Sequence, residues 1–156
     1  MPQKTISKDI PLAEITLRRY EKPSQLSERD LVRKICLSVG LLQPGDSRDV
    51  VVDVLSVLLK AKKEKKSLTS DEIEKLVIEA RKKHKLPMLG IASSNIRRQL
   101  KRLKELFIIE KIKNKYRVTE FLPLTEIYDT KIEKFLLQSI LQRSMEYFAK
   151  ADEVFS

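Results

Sequence analysis

The 156-residue chain contains one cysteine, one histidine, three glycines and no tryptophan. One cysteine excludes an internal disulfide, and one histidine with one cysteine falls short of a common zinc ligand set. The same scarcity leaves Cys36 and His84 as a nucleophile and base only if chance brings them together in space, so Cys36 reads as a small core residue and His84 as a loop residue. Long apolar runs are missing too. The most apolar stretch, Val50 to Leu59, is broken by Asp53 and is too short to cross a bilayer. The opening residues carry no apolar signal core, so the expectation is a soluble, cytoplasmic protein with no membrane partner.

Charge is what the chain has in abundance. Lys and Arg number 32 against 22 Asp and Glu, a formal charge of +10, and 42% of residues are apolar, enough for a packed core. The excess is concentrated. Residues 87–118 carry nine basic and two acidic side chains, a net +7, whereas residues 119–156 carry four and seven, a net −3. Focused positive charge is what a polyanion-binding surface requires, because each phosphate neutralised releases condensed counterions. A solvated Lys/Arg face would carry the same letters, so the local pattern has to decide.

Residues 1–26 read as an arm, either strand-like over Ile15 to Tyr20 or opening a short helix at Pro11. Ser27 with Asp30 resembles a capping box and predicts a helix through Val39, with Leu31, Val32, Ile35 and Val39 turned inward. Gly40 to Ser47 has the spacing of a phosphate-cradling loop. Asp46 stands where a lysine is needed, however, and a turn at Pro44-Gly45 with Asp46 or Ser47 as helix cap explains the same residues. A helix follows over Asp49 to Lys62, burying Val50, Val54, Val57, Leu58 and Leu59; its lysine-rich end suits a helix C-terminus without any ligand. Thr69 with Glu72 predicts a second capping box and a helix to about Lys83, with Ile73, Leu76 and Val77 inward.

Beyond the breaker stretch His84 to Gly90, Ser93 reads as the cap of a helix over Ser94 to Leu106. Ile96, Leu100, Leu103 and Phe107 fall within about 40° of Ile96 on a helical wheel, which turns Ser94, Arg98 and Lys101 outward with Asn95, Arg97 and Arg102 on the flanks. Phe107 to Ile112 and Tyr116 to Phe121 read as two strands around a three-residue basic turn, Lys113-Asn114-Lys115. After Pro123 the pattern is helical again, most clearly over Lys131 to Glu153. Its apolar face is Ile132, Phe135, Leu136, Ile140, Leu141, Met145 and Phe148.

This order of parts, carried by Leu68 to Ile73, Ile91 to Glu105 and Ile108 to Arg117, resembles the winged-helix superfamily, in particular small archaeal or bacterial winged-helix transcription regulators. The resemblance covers about Ser47 to Phe121. It implies a mainly α fold with a small β-hairpin wing (α+β), a winged helix-turn-helix domain over 27–122 with an added N-terminal helix, and a long C-terminal helical segment over 123–156. It further implies a recognition helix at 93–106, a wing at 107–121 and a protein that associates with the nucleoid.

The expected role is sequence-specific double-stranded DNA binding as a homodimeric transcriptional regulator, acting by occupancy rather than chemistry. Ser94, Asn95 and Arg98 are expected at base edges, since Arg pairs with guanine and Asn with adenine. Ser93, Arg97, Lys101 and Arg102 are expected on phosphates, and Lys111, Lys113, Asn114, Lys115 and Arg117 on the backbone or minor groove from the wing. The C-terminal apolar face either covers the first helices or pairs with a second copy; palindromic operators favour pairing, through Ile132, Phe135, Leu136, Ile140, Leu141, Met145 and Phe148. The rival reading is a winged-helix protein-interaction module in a replication or transcription complex. No catalytic constellation, metal site or cofactor is expected.

Overall fold

The computed structural model describes residues 9–156, so the first eight residues of the expected arm lie outside the described residues. Residues 11–26 form neither the strand nor the helix that the sequence leaves open; they run extended over the end of the first helix. The Arg18 amide donates to the Ser38 carbonyl at 2.9 Å. Its guanidinium donates to the Leu37 and Leu42 carbonyls at 2.7 and 3.0 Å, which ties the arm down. The crossing is close: a Cβ on Gly40, whose φ is +78°, would sit 2.6 Å from the Thr16 Cβ.

Helix α1 (Glu28–Ser38) starts where Ser27 Oγ accepts the Asp30 amide at 3.1 Å. Val32, Cys36 and Leu37 are buried, while Leu31 stays exposed and Ile35 half-buried, so the inward face is rotated from the expected one. Helix α2 (Val50–Lys63) is the central rod, with Val50, Val54, Val57 and Leu58 buried and Leu59 partly so. Neither Asp46 nor Ser47 caps it. Asp46 Oδ1 instead accepts the Arg48 amide at 2.9 Å in a local turn, and the cap residue is Asp49. Asp49 makes no cap bond because its carboxylate is engaged by three arginines.

Helix α3 (Ser70–Lys83) opens on the full reciprocal capping box of Thr69 and Glu72. Ile73 and Val77 are buried, but Leu76 is exposed. Helix α4 (Ser93–Glu105) buries Ile96, Leu100 and Leu103 against α2 and α3. Phe107 lies past its end and is only partly buried; Leu106 is buried there instead. All four helices finish the same way, with the chain turning through the left-handed region and the next amide reaching back, as from Leu41 to Cys36, Lys66 to Ala61, Leu86 to Arg81 and Ile108 to Leu103. With so few glycines, only α1 has one at that position. Lys65, Lys85 and Phe107 hold positive φ angles at the other three ends.

Strands β1 (Ile109–Ile112) and β2 (Lys115–Val118) pair antiparallel with Ile112 opposite Lys115. The hairpin turn is therefore two residues, Lys113-Asn114, both at positive φ, rather than the three expected. The second strand stops at Val118 because Thr119–Phe121 coils into a 3-10 turn. Leu68, in the link between α2 and α3, exchanges backbone bonds with Tyr116 at 2.9 and 2.7 Å and adds a one-residue bridge on the other edge of β2. The C-terminal rod begins directly after Pro123, as expected, and runs as α5 (Leu124–Ile127), a π-helical stretch (Tyr128–Leu137) and α6 (Gln138–Phe155). Ile127, Ile132 and Leu136 join the same core as α1–α4, so that core crosses the expected boundary at 122/123. No residue of α6 is buried.

A charge cluster sits inside this framework. Arg81, 1% exposed, donates to Asp49 and Asp53 on α2 and through Nε to the Pro87 carbonyl at 2.8 Å. Arg29 and Arg33 from α1 reach the same carboxylates at 2.9 to 3.2 Å. Burial alone pushes the Asp49 carboxyl up, but Arg29 and Arg81 outweigh it and hold the group below the ordinary carboxylate range. Removing one partner of a buried pair strands the other, so Asp53→Ala is expected to cost about 3–5 kcal/mol in urea unfolding. Leu76→Ala on the exposed face should cost under about 1 kcal/mol. Because the folded pKa of Asp49 lies below its unfolded value of about 3.9, its contribution is present above that pH and lost as pH falls through the folded value. Acid unfolding of the wild type should show this loss, and an Asp49→Asn variant should not.

Candidate nucleic-acid interface

Helix α4 lacks acidic residues in its first turn and carries its one carboxylate, Glu105, at its last position. Its position is set from both ends. At the start, Ser93 Oγ donates to Glu74 Oε2 of α3 at 2.7 Å, and Ala92 rather than Ser93 is the cap residue. Asn95 Nδ2 donates to the Gly90 carbonyl at 2.8 Å, closing the breaker loop on the helix. Gly90 has φ +77°, and a Cβ there would lie 2.9 Å from Asn95 Nδ2, so this position needs glycine. At the far end, Thr119 Oγ1 donates to the Phe107 carbonyl at 2.7 Å and the Thr119 amide to the Ile108 carbonyl at 3.1 Å, which locks the hairpin base to the helix exit.

The twelve residues expected at a duplex divide into two groups. Ser94, Arg97, Arg98 and Lys101 are exposed on α4, and none of these cations has an acidic partner among the described residues. Lys111, Lys113, Asn114 and Lys115 are exposed on the hairpin. The Lys111 ammonium lies 5.5 Å from the Tyr116 ring centre, a contact that positions it without cancelling its charge. The hairpin follows α4 directly, and β1 packs against it.

The other four are committed inside the molecule. Ser93 holds Glu74, and Asn95 holds Gly90 while its Oδ1 accepts Gln99 Nε2 at 3.1 Å. Arg102 donates to Gln99 Oε1 at 2.8 Å and to the Gly40 carbonyl at 3.3 Å. Arg117 pairs with Glu110 at 2.7 Å and lies over the Phe121 ring. Three of these commitments have a signal in the spacing: Asn95 and Gln99 are four apart on a helix, Gln99 and Arg102 three apart, and Glu110 and Arg117 are direct cross-strand partners once the turn has two residues. The long-range bonds to Glu74 and Gly40 leave no such signal.

The C-terminal apolar face divides as well. Ile132 and Leu136 are buried in the chain's own core and Ile140 is partly buried, so these three serve intramolecular packing. Phe135 meets Phe107 edge to face at 5.6 Å but remains 58% exposed. Leu141, Met145 and Phe148 stand free, as do Val154 and Phe155.

Elsewhere the chemistry is sparse. Burial pushes the Cys36 thiol up to about 12, which keeps it from reacting as a thiolate at neutral pH. In the loop with phosphate-cradle spacing, the amides of Gly40, Leu41, Leu42 and Asp46 all donate to backbone carbonyls of the chain, so they make no nest for an anion. Among the described residues no group of His, Cys, Asp and Glu is arranged to hold a metal ion, and no helix is long and apolar enough to cross a membrane. No family model matches this chain, no curated protein matches it, and no solved structure matches its fold.

The division between committed and free side chains is testable by stability alone. Asn95→Ala is expected to lower unfolding free energy by about 0.5–2 kcal/mol, because it frees the Gly90 carbonyl and Gln99 together. Arg98→Ala should change it by less than about 0.5 kcal/mol. Chemical denaturation of both variants reads the difference, and equal losses would contradict it.

Proposed function

We propose that the protein binds double-stranded DNA sequence-specifically and acts as a transcriptional regulator of the winged-helix type, as a homodimer. The observation that carries this reading is the pairing of two uncompensated cationic elements. Helix α4 offers Arg97, Arg98 and Lys101 to solvent, and the hairpin that packs against it ends in exposed Lys113, Asn114 and Lys115. The element order also supports it. Helix, capped helix, cationic helix and basic hairpin follow one another as the winged-helix resemblance implies, and Leu68 adds a bridge to the hairpin's second strand.

In this reading Ser94 and Arg98 meet base edges, where an arginine grips guanine through two bonds. Arg97 and Lys101 hold phosphates on either side, and Lys111, Lys113, Asn114 and Lys115 reach the neighbouring backbone. Ser93, Asn95, Arg102 and Arg117 build the platform instead of touching DNA, given the bonds they already make. Dimerisation falls to Leu141, Met145 and Phe148 with the exposed part of Phe135. An 18-residue helix with no buried side chain and this much bare apolar surface needs a partner to cover it. The acidic balance of 119–156 keeps that rod away from the phosphates.

The same bare rod favours the second reading, a winged-helix module that docks on another protein within a replication or transcription complex. One experiment separates the two. Titration of a duplex at several salt concentrations should give a log–log slope steeper than about −5, corresponding to six or more phosphates. Sedimentation of the free protein should give two chains per particle. A flat salt response, or a monomer that gains a stoichiometric protein partner and shows no preference among duplexes, supports the docking module.

A further inference from the structure

Between the 41–48 loop and the first turns of α4 lies an open cleft of about 500 Å³, within the range that small ligands occupy. Three arginines line it, Arg48, Arg98 and Arg102, against a single acidic residue, Asp46. None of the three arginines forms an ion pair among the described residues. Arg102 donates only to neutral acceptors, Gln99 Oε1 and the Gly40 carbonyl, and Asp46 is occupied by the Arg48 amide. With Asp46 set against three arginines, the lining carries an excess of about two positive charges, and guanidiniums suit forked recognition of an oxyanion.

We propose that this cleft binds a small organic phosphate and that its occupation excludes duplex DNA. A phosphomonoester dianion matches the local charge excess, whereas a monocarboxylate leaves half of it uncompensated. The body attached to the phosphate is apolar on at least one face, because Leu42 and Val51 form part of the wall and Leu89, half exposed, stands at the rim. Recognition is assigned to the arginine side chains; the amides of Leu41, Leu42 and Asp46 already donate to backbone carbonyls. Exclusion follows from Arg98, which belongs both to the cleft and to the face assigned to base edges. A guanidinium turned onto a bound phosphate is withdrawn from the groove. This regulatory step rests on the DNA-binding reading, whereas the ligand site does not.

The test uses the full chain and three probes: phenyl phosphate, inorganic phosphate and benzoate. In a two-dimensional amide NMR titration, phenyl phosphate should shift Arg48, Leu89, Gly90 and Asn95 saturably and bind more tightly than either other probe. Arg48 is exposed and makes no side-chain bond among the described residues, so Arg48→Ala should fold normally and weaken phenyl phosphate about tenfold. No saturable shift up to about 10 mM, equal binding of phenyl and inorganic phosphate, or indifference to Arg48→Ala overturns the site. In the same buffer, phenyl phosphate should displace a labelled duplex. A duplex that stays bound while the cleft saturates overturns the exclusion, and a saturable cleft on a protein that binds no duplex at low salt overturns the DNA reading but upholds the ligand site.

Discussion

Arg81 is the constraint on which the rest of the molecule depends. It arises near the end of α3, lies almost wholly out of solvent, and holds two carboxylates of α2 and the carbonyl of Pro87 at once. An ion taken so far from water is tolerated only when nearly every polar atom finds a partner. That requirement fixes the crossing of α2 and α3 and the path of the loop leaving α3. The loop in turn delivers Gly90 to Asn95, and so determines where α4 starts and which way its cations face. Arg29 and Arg33 bring α1 to the same two carboxylates, so three helices are registered by one cluster. Hydrophobic burial supplies the driving force for folding, but it is non-directional; the ionic cluster supplies the registration.

Scarcity of glycine shapes the surface as much as the cluster shapes the interior. Four helices end in the same left-handed turn, and three of them place a lysine or phenylalanine there at some cost in backbone strain. Phe107 shows why the strain is kept. Its ring packs against Phe135 of the C-terminal rod, and its carbonyl receives Thr119, so the turn joins α4 to both the hairpin and the rod. The cations of the candidate interface are likewise of two kinds: Arg117 is paired with Glu110 and Arg102 is anchored on neutral acceptors, while Arg97, Arg98, Lys101 and the hairpin tip are exposed without such anchors.

Local features were legible in the residues and long-range ones were not. The Thr69–Glu72 box, the extents of α2 to α4 and the existence of the hairpin follow from capping and periodicity, which depend on neighbours only a few residues apart. The hairpin turn was one residue too long because Lys115 pairs directly with Ile112, a register that composition does not specify. Asp53 reads as a flaw in an apolar run, and only the fold shows Arg81, 28 residues away in sequence, answering it. Leu31 and Leu76 continue their apolar stripes yet remain exposed, since periodicity marks a face without saying how wide a neighbour will cover it. For the site, exposure of Arg98 and Lys101 follows from the helical wheel, but the commitments of Asn95 and Ser93 depend on a loop and a helix that the wheel does not contain.

The central claim is that one cationic face, made of α4 and the hairpin tip, meets duplex DNA. Amide chemical-shift mapping of the full chain with a short duplex tests it most directly. The account predicts shifts that cluster at Ser94 to Lys101 and at Lys111 to Lys115, with α6 undisturbed. Shifts centred on the lysine-rich end of α2 or on the apolar side of α6, with the α4 face silent, would contradict it.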